Sequence, residues 1–157
     1  LVQKKPKLTT EIGWREVISL PTLQIKDMKA KIDTGARTSA LHAVDIKPFI
    51  QDGKDWVEFW VPLHHHRHGV QCFCEVVDQR HIKNTGGEAQ ERYVVKTTLV
   101  LGQQNWPIEV SLANRRSMGF ALIIGRTAIR GKRILVNPGR SFLAGPPAVL
   151  TATTPED

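Results

Sequence analysis

The chain has 157 residues, of which 41% are hydrophobic and 24% charged, a balance that suits one soluble folded unit and excludes a chain disordered throughout. The net charge of +7 comes from 22 Lys and Arg against 15 Asp and Glu; it is scattered rather than gathered in a block, so no nucleic-acid partner is expected, while an acidic peptide substrate is compatible with it. No apolar run approaches the roughly 20 residues of a membrane-spanning helix, so no membrane partner is expected either.

Residues 1–10 are polar and basic and read as a flexible arm. The chain opens at Leu1 rather than Met, which leaves room for an upstream segment. The compartment therefore stays open: the cytoplasm is favoured and the periplasm is retained.

The first informative stretch is Met28 to Ala43. Met28, Ala30 and Ile32 share one face of a strand. Asp33-Thr34-Gly35 then interrupts it. Gly35 permits a sharp turn, and the Thr34 hydroxyl can bond backbone groups. An aspartate held at a strand end by a rigid turn is a sound mount for a catalytic carboxylate. Ser39 and His42 have a spacing found in hydrolase pairs, but no oxyanion loop or nucleophile elbow accompanies them.

The middle of the chain reads as strand. Val57, Phe59 and Val61 alternate with Glu58 and Trp60. Val70, Cys72, Cys74 and Val76 line one face of the next segment. Val95, Thr97, Leu99 and Leu101 alternate with Lys96, Thr98 and Val100. Trp106, Ile108, Val110 and Leu112 alternate with Glu109 and Ser111. Period-two patterns mark half-buried strands, and Asp52-Gly53, Gly86-Gly87 and Gly102 supply turns between them. Several short strands with regular turns predict an all-β sandwich or barrel.

Cys72 and Cys74 are too close in sequence for an ordinary framework disulfide. They read first as small buried apolar residues. His64, His65, His66 and His68 fall between two strands as a solvated hairpin tip. The competing reading joins His64 and His66 to Cys72 or Cys74 around zinc; without it, no cofactor is expected. Neither a phosphate-binding Gly-x-x-x-x-Gly-Lys-Ser/Thr loop nor a His-Glu-x-x-His helix is present.

Near the end, Ala121-Leu122-Ile123-Ile124-Gly125 is an apolar strand, and Arg126-Thr127-Ala128-Ile129-Arg130 reads as a short helix closed by Gly131. Residues 141–157 carry Pro146-Pro147, several Thr and an acidic end, and read as a poorly ordered tail. The folded domain is placed at 11–140.

Asp33-Thr34-Gly35-Ala36 after an apolar strand, followed far downstream by an apolar strand, Gly125-Arg126 and a short helix, resembles the retropepsin-like aspartic proteases. Ile32 to Ala43, Arg92, Ser111 to Met118 and Ile124 to Thr127 further resemble the bacterial family named ATP-dependent zinc proteases. Its members are often encoded near the RimK glutamate ligase, and one branch is called RimB. The likeness extends over about 11–140. It implies a closed or partly closed barrel of the retropepsin-like acid protease type, with one short helix after Gly125. It implies an aspartic endopeptidase in which Asp33, Thr34 and Gly35 carry catalysis. The second carboxylate would come from the Asp33 of a homodimer mate. Lys31, Ala36, Arg37, His42, Gly125 and Arg126 fall in the signature segments as substrate-binding or site-supporting residues. The RimK neighbourhood points to glutamate-rich tails as substrate, and any ATP dependence would belong to a partner. A non-catalytic peptide-binding module and a zinc hydrolase of the His64 to Cys74 region are the alternatives.

Two departures from the viral pattern stand out. Asp33 and Gly125 are separated by more chain than in compact viral retropepsins, and Thr127 stands where those enzymes usually carry Asp or Asn. The extra length, with hairpins in 49–75 and Trp56 and Trp60, would build a different flap or cover the dimerisation surface; the Trp pair otherwise reads as ordinary packing.

Overall fold

The structure is a computed structural model that describes residues 8–63, 68–83, 86–115 and 119–150. Its strands are β1 (Thr10–Gly13), β2 (Arg15–Leu20), β3 (Ile25–Asp33), β4 (Ser39–His42), β5 (Val44–Gln51), β6 (Lys54–Leu63), β7 (His68–Lys83), β8 (Ala89–Leu101), β9 (Gln104–Ala113), β10 (Leu122–Gly125) and β11 (Ile134–Asn137). A 3-10 turn covers Pro21–Leu23, and the single short helix α1 spans Arg126–Ile129. That helix follows Gly125, as the sequence predicts. The chain is about 65% strand. No helix among the described residues is long and apolar enough to cross a membrane.

Strand β2 pairs with β3 on one side and with β8 on the other. The order β2-β3-β10-β4-β9-β8 therefore closes on itself, giving a barrel of six strands of the retropepsin-like type. Closure removes the free edges that an open sheet would present. Beyond β8 the sheet continues as an antiparallel meander through β7, β6 and β5. Asp52 and Gly53 join β5 to β6, both at positive φ (52° and 72°), which suits the twist of a tight hairpin. Trp60 lies across Gly69, where a Cβ would collide with its ring, so this tryptophan packs within the β6–β7 hairpin.

The period-two faces decide what is inside. Ile18, Ile25, Ala30, Leu41, Val95, Leu99, Val110, Leu122 and Ile124 are all buried in one apolar cluster. Burying each Leu or Ile side chain contributes about 1.5–3 kcal/mol. All four residues of β10 are buried. This strand lies in the middle of the barrel wall, parallel to β3 and antiparallel to β4. A short apolar run flanked on both sides is what such a position requires.

One segment differs from the expectation. The reading that made 141–157 a poorly ordered tail does not describe 141–150. Phe142 N–H donates to Arg15 O at 3.0 Å, and Ala148 N–H to Gly102 O at 2.8 Å. Leu143 and Ala144 N–H donate to the carboxylate of Glu16 at 2.9 and 3.1 Å. Glu16 is fully buried and also accepts from Gly13 N–H at 2.7 Å. A buried carboxylate needs such donors, and here the backbone of the C-terminal segment supplies two of them. Pro146-Pro147 and the Thr-rich acidic end concealed this, because the attachment is by main-chain bonds, which leave no mark in the sequence. The ends of the domain also meet: β1 and β11 form a parallel pair, with Thr10 opposite Ile134 and Gly13 opposite Asn137.

Candidate functional site

Asp33 is the last residue of β3. The strand ends there because the chain turns at once: Ala36 N–H bonds back to Asp33 O at 3.1 Å. The side chain joins the same turn. Its Oδ1 accepts from Gly35 N–H at 3.0 Å and from Ala36 N–H at 3.2 Å. Both bonds fall on one oxygen, so the carboxylate is fixed in orientation while Oδ2 accepts no hydrogen bond among the described residues. Asp33 is half-buried and Thr34 and Gly35 are exposed; the loop presents its carboxylate outward.

The second signature element holds this loop in place. Gly125 is level with Asp33 in the parallel register of β10 and β3. Gly125 N–H donates to Ser39 Oγ at 3.0 Å. Arg126 N–H donates to Ala36 O at 2.8 Å, and Arg126 Nη1 to Gly35 O at 3.1 Å. The Thr127 hydroxyl donates to Arg37 O at 2.7 Å, and Thr127 N–H reaches the same carbonyl at 3.3 Å. The start of α1 thus clamps three successive carbonyls of the Asp33 loop. Arg126 holds the turn through a backbone carbonyl, the Gly35 O that its Nη1 reaches. Thr127 has a comparable use: its hydroxyl bonds the loop directly.

The structure brings Asp33, Thr34, Gly35, Ala36, Arg37, Gly125 and Arg126 into one cluster. Lys31 is exposed on β3, two residues before Asp33. His42 is elsewhere. It is buried at the far end of β4, beyond the Leu41–Leu122 pair, whereas Asp33 is level with Gly125. The separation along β10 is roughly 13 Å. His42 Nδ1 accepts from Arg115 N–H at 2.8 Å, so it anchors the segment after β9. Ser39 is buried, with its hydroxyl bound to Gly125 N–H, which leaves no Ser-His pair.

Two arginines of this region carried no signal of their own in the sequence. Arg92 and Arg115 each occupy an ordinary polar position of a strand or its end, and they entered only through the family resemblance. In the structure both are half-buried. Burial lowers the proton affinity of Arg92. Burial also lowers that of Arg115, the charge of Arg92 adds to this, and Asp33 opposes it. Arg115 is thus within electrostatic reach of Asp33.

The two cysteines are both free thiols, Cys72 buried and Cys74 half-buried. Cys72 is buried and its thiol faces Leu23 O and Val70 O at 3.7 and 3.8 Å. Burial pushes the Cys72 thiol up to about 12 and the Cys74 thiol up to about 11. With no ion beside them, burial favours the neutral thiols. Among the described residues no group of three or more His, Cys, Asp or Glu side chains is arranged to hold a metal ion. His64 and His66 lie outside the described residues, between the paired Leu63 and His68.

Known proteins are similar to this chain. A protein of Shewanella pealeana named "Probable alpha-L-glutamate ligase" is 42% identical over 136 residues, covering 85% of this chain and 30% of that protein. One of the same name from Parasynechococcus marenigrum is 43% identical over 136 residues, covering 85% of this chain and 29% of that protein. The chain therefore spans about 30% of the length of the curated relatives it matches. The crystal structure of Lpg0085 from Legionella pneumophila, described as a protein of unknown function, matches with a TM-score of 0.75 at 29% identity; the match covers 86% of this chain and 98% of that one. A family model described as RimB-like, retropepsin-like aspartic endopeptidase RimB, matches residues 11–147. Zinc and ATP form no part of that description. The match runs through both the Asp33 loop and the Gly125-Arg126 clamp, and the chain belongs to the RimB-like family of retropepsin-like aspartic endopeptidases.

Proposed function

We propose that the chain is one half of an aspartic endopeptidase, with Asp33 as its catalytic carboxylate and the second carboxylate supplied by Asp33 of another copy. The observation that carries this is the orientation of Asp33. One oxygen is tied to Gly35 and Ala36 N–H, and the other is left for water or for a second carboxylate. A single carboxylate cannot both take a proton from water and give one to the carbonyl oxygen. Two carboxylates sharing one proton can.

In that arrangement the ionised Asp33 takes a proton from water as the oxygen attacks the peptide carbonyl. The protonated Asp33 gives its proton to the carbonyl oxygen, forming a neutral gem-diol. On collapse the ionised carboxylate takes one hydroxyl proton, and the protonated carboxylate gives its proton to the amide nitrogen. The C–N bond then breaks, releasing acid and amine. A two-fold axis places identical residues opposite each other, so the exposed Thr34 and Gly35 are suited to the contact between copies.

Acidic, glutamate-rich peptides are the substrate class we favour. The net charge of +7 and the exposed Lys31 and Arg37 near Asp33 support attraction of such a chain. The curated relatives are named glutamate ligases, which fits a shared segment that handles glutamate-bearing chains. The test is incubation with a glutamate-tailed peptide, read by mass spectrometry. Cleavage by the wild type that vanishes in Asp33→Asn is the expected result; equal cleavage by both proteins would sink the reading. Peptide binding that survives Asp33→Ala, with no turnover by wild type at any pH, would assign the chain to the non-catalytic alternative.

A further inference from the structure

Three arginines converge near the Asp33 side of the barrel wall, and they are treated differently. Arg80 on β7 is directly opposite Arg92 on β8. Arg80 is fully engaged: its Nε meets Asp78 at 2.7 Å, its Nη2 meets Glu109 at 3.0 Å, and its Nη1 reaches Thr38 Oγ1 at 3.4 Å. Arg92 and Arg115 have no such partners. Arg92 Nε, Arg115 Nε and Arg115 Nη2 are buried and make no hydrogen bond. No carboxylate forms an ion pair with either residue among the described residues.

Buried guanidinium nitrogens without acceptors are costly, and two neighbouring guanidinium groups that repel each other are more so. Each has lowered proton affinity from burial, and Arg115 also feels Arg92. The backbone nevertheless holds them there. Arg115 N–H is fixed on the buried His42, and Arg92 is set within the β7–β8 ladder. A pair kept in this state is preorganised for an anion. Guanidinium forks match the planar geometry of a carboxylate.

We propose that Arg92 and Arg115 form a carboxylate-binding subsite of the Asp33 site, taking the acidic side chain of a bound peptide. Its placement rests on the peptidase reading, but its occupancy does not require turnover. A glutamate seated there would satisfy the orphaned nitrogens and position the neighbouring peptide bond relative to Asp33. His42 is then a positioning residue, acting through the backbone of Arg115.

The test measures binding rather than cleavage, with the full chain carrying Asp33→Asn. The probes are short acetylated peptides: all-glutamate with an amidated C-terminus, all-glutamine with an amidated C-terminus, and all-glutamine with a free C-terminus. The glutamate amide should bind roughly tenfold or more tightly than the glutamine amide. Arg92→Met and Arg115→Met should each bring that ratio close to one. Their thermal midpoints should hold or rise, because each removes guanidinium nitrogens that are buried without an acceptor. Tight binding of the free-acid glutamine peptide, lost in both variants, would support the subsite and assign it to a chain end. Equal binding of the glutamate and glutamine amides would overturn the proposal, as would a preference that survives both substitutions. A lowered midpoint in both variants with the preference retained would make the pair structural. Loss of self-association with the ratio unchanged would assign the pair to a contact between copies and likewise overturn it. Failure of wild type to cleave any peptide bears on the peptidase reading alone.

Discussion

Gly125 is level with Asp33 across the parallel β10–β3 pair, and a Cβ at Gly125 would stand 2.7 Å from the carbonyl carbon of Thr38 and 3.0 Å from Ala36 O. The glycine lets the Asp33 loop lie directly over β10. Gly125→Ala should therefore push the loop away from the strand and destabilise the fold by about 1–3 kcal/mol. Thermal unfolding measures the cost. Peptide cleavage should fall further than the loss of folded protein accounts for.

The clamp from α1 gives a second prediction. Thr127→Val removes the 2.7 Å bond to Arg37 O but leaves the Thr127 N–H on the same carbonyl. The loss should be about 1 kcal/mol. Arg126→Met frees Gly35 O from the guanidinium. Arg126 is exposed, so stability should change little, while the turnover number drops because the Asp33 turn loosens. Comparing turnover with melting temperature across the two variants separates loop order from global stability.

Glu16 yields the largest expected stability loss. Its two oxygens accept from Gly13, Leu143 and Ala144. Glu16→Gln replaces one acceptor oxygen with a donor NH2 that faces N–H groups. Hydrogen bonds to a charged group are each worth about 1.5–3 kcal/mol, so a loss of at least one such bond is expected. Limited proteolysis should show cleavage appearing within 141–150 before the barrel is cut.

The cysteines set an alkaline limit. Folding raises both thiols from the ordinary 9.0, to about 12 for Cys72 and about 11 for Cys74. A group whose pKa is raised by folding stabilises the fold fully below its unfolded value, and that contribution is lost as pH rises through the folded value. Stability should thus decline between pH 9 and 12 more steeply in wild type than in a Cys72→Ala, Cys74→Ala double variant. Denaturant midpoints at several pH values measure the difference. The same shifts predict slow alkylation of both thiols at pH 8 in the folded protein.

Much of the barrel was legible because alternation reports which face is buried. Met28, Ala30 and Ile32, and later Trp106, Ile108, Val110 and Leu112, turned out buried as their spacing required. Alternation does not report which strand lies beside which. Nothing in Leu122-Ile123-Ile124-Gly125 says that its neighbours are β3 and β4, since those pairings bring together residues some ninety positions apart. Glu16 was readable in principle: it shares the phase of Ile18 and Leu20, and a charge in phase with buried residues calls for partners. The attachment of 141–150 was not readable, because the donors are backbone groups that every sequence possesses.

At the site, the Asp33 turn and the Gly125-Arg126 element stood out through their residue types. What Thr127 does was hidden, because a threonine after Gly-Arg looks like a loss relative to Asp or Asn until its bond to Arg37 O is seen. His42 sits inside the signature stretch yet lies beyond the Leu41–Leu122 pair, while Asp33 is level with Gly125, since proximity in sequence does not survive the reversal between β3 and β4.

The contacts of Glu16 have a consequence for how the protein is made. Glu16 emerges from the ribosome ahead of two of its donors, N–H groups that follow 127 and 128 residues later. The pairing of β1 with β11 is equally delayed. A nascent chain that stops before these partners holds a carboxylate with Gly13 N–H as its one donor in the place where its core must form. Folding is thereby coupled to the emergence of residues 134–144: the barrel closes late, as one cooperative event, rather than strand by strand as each hairpin appears.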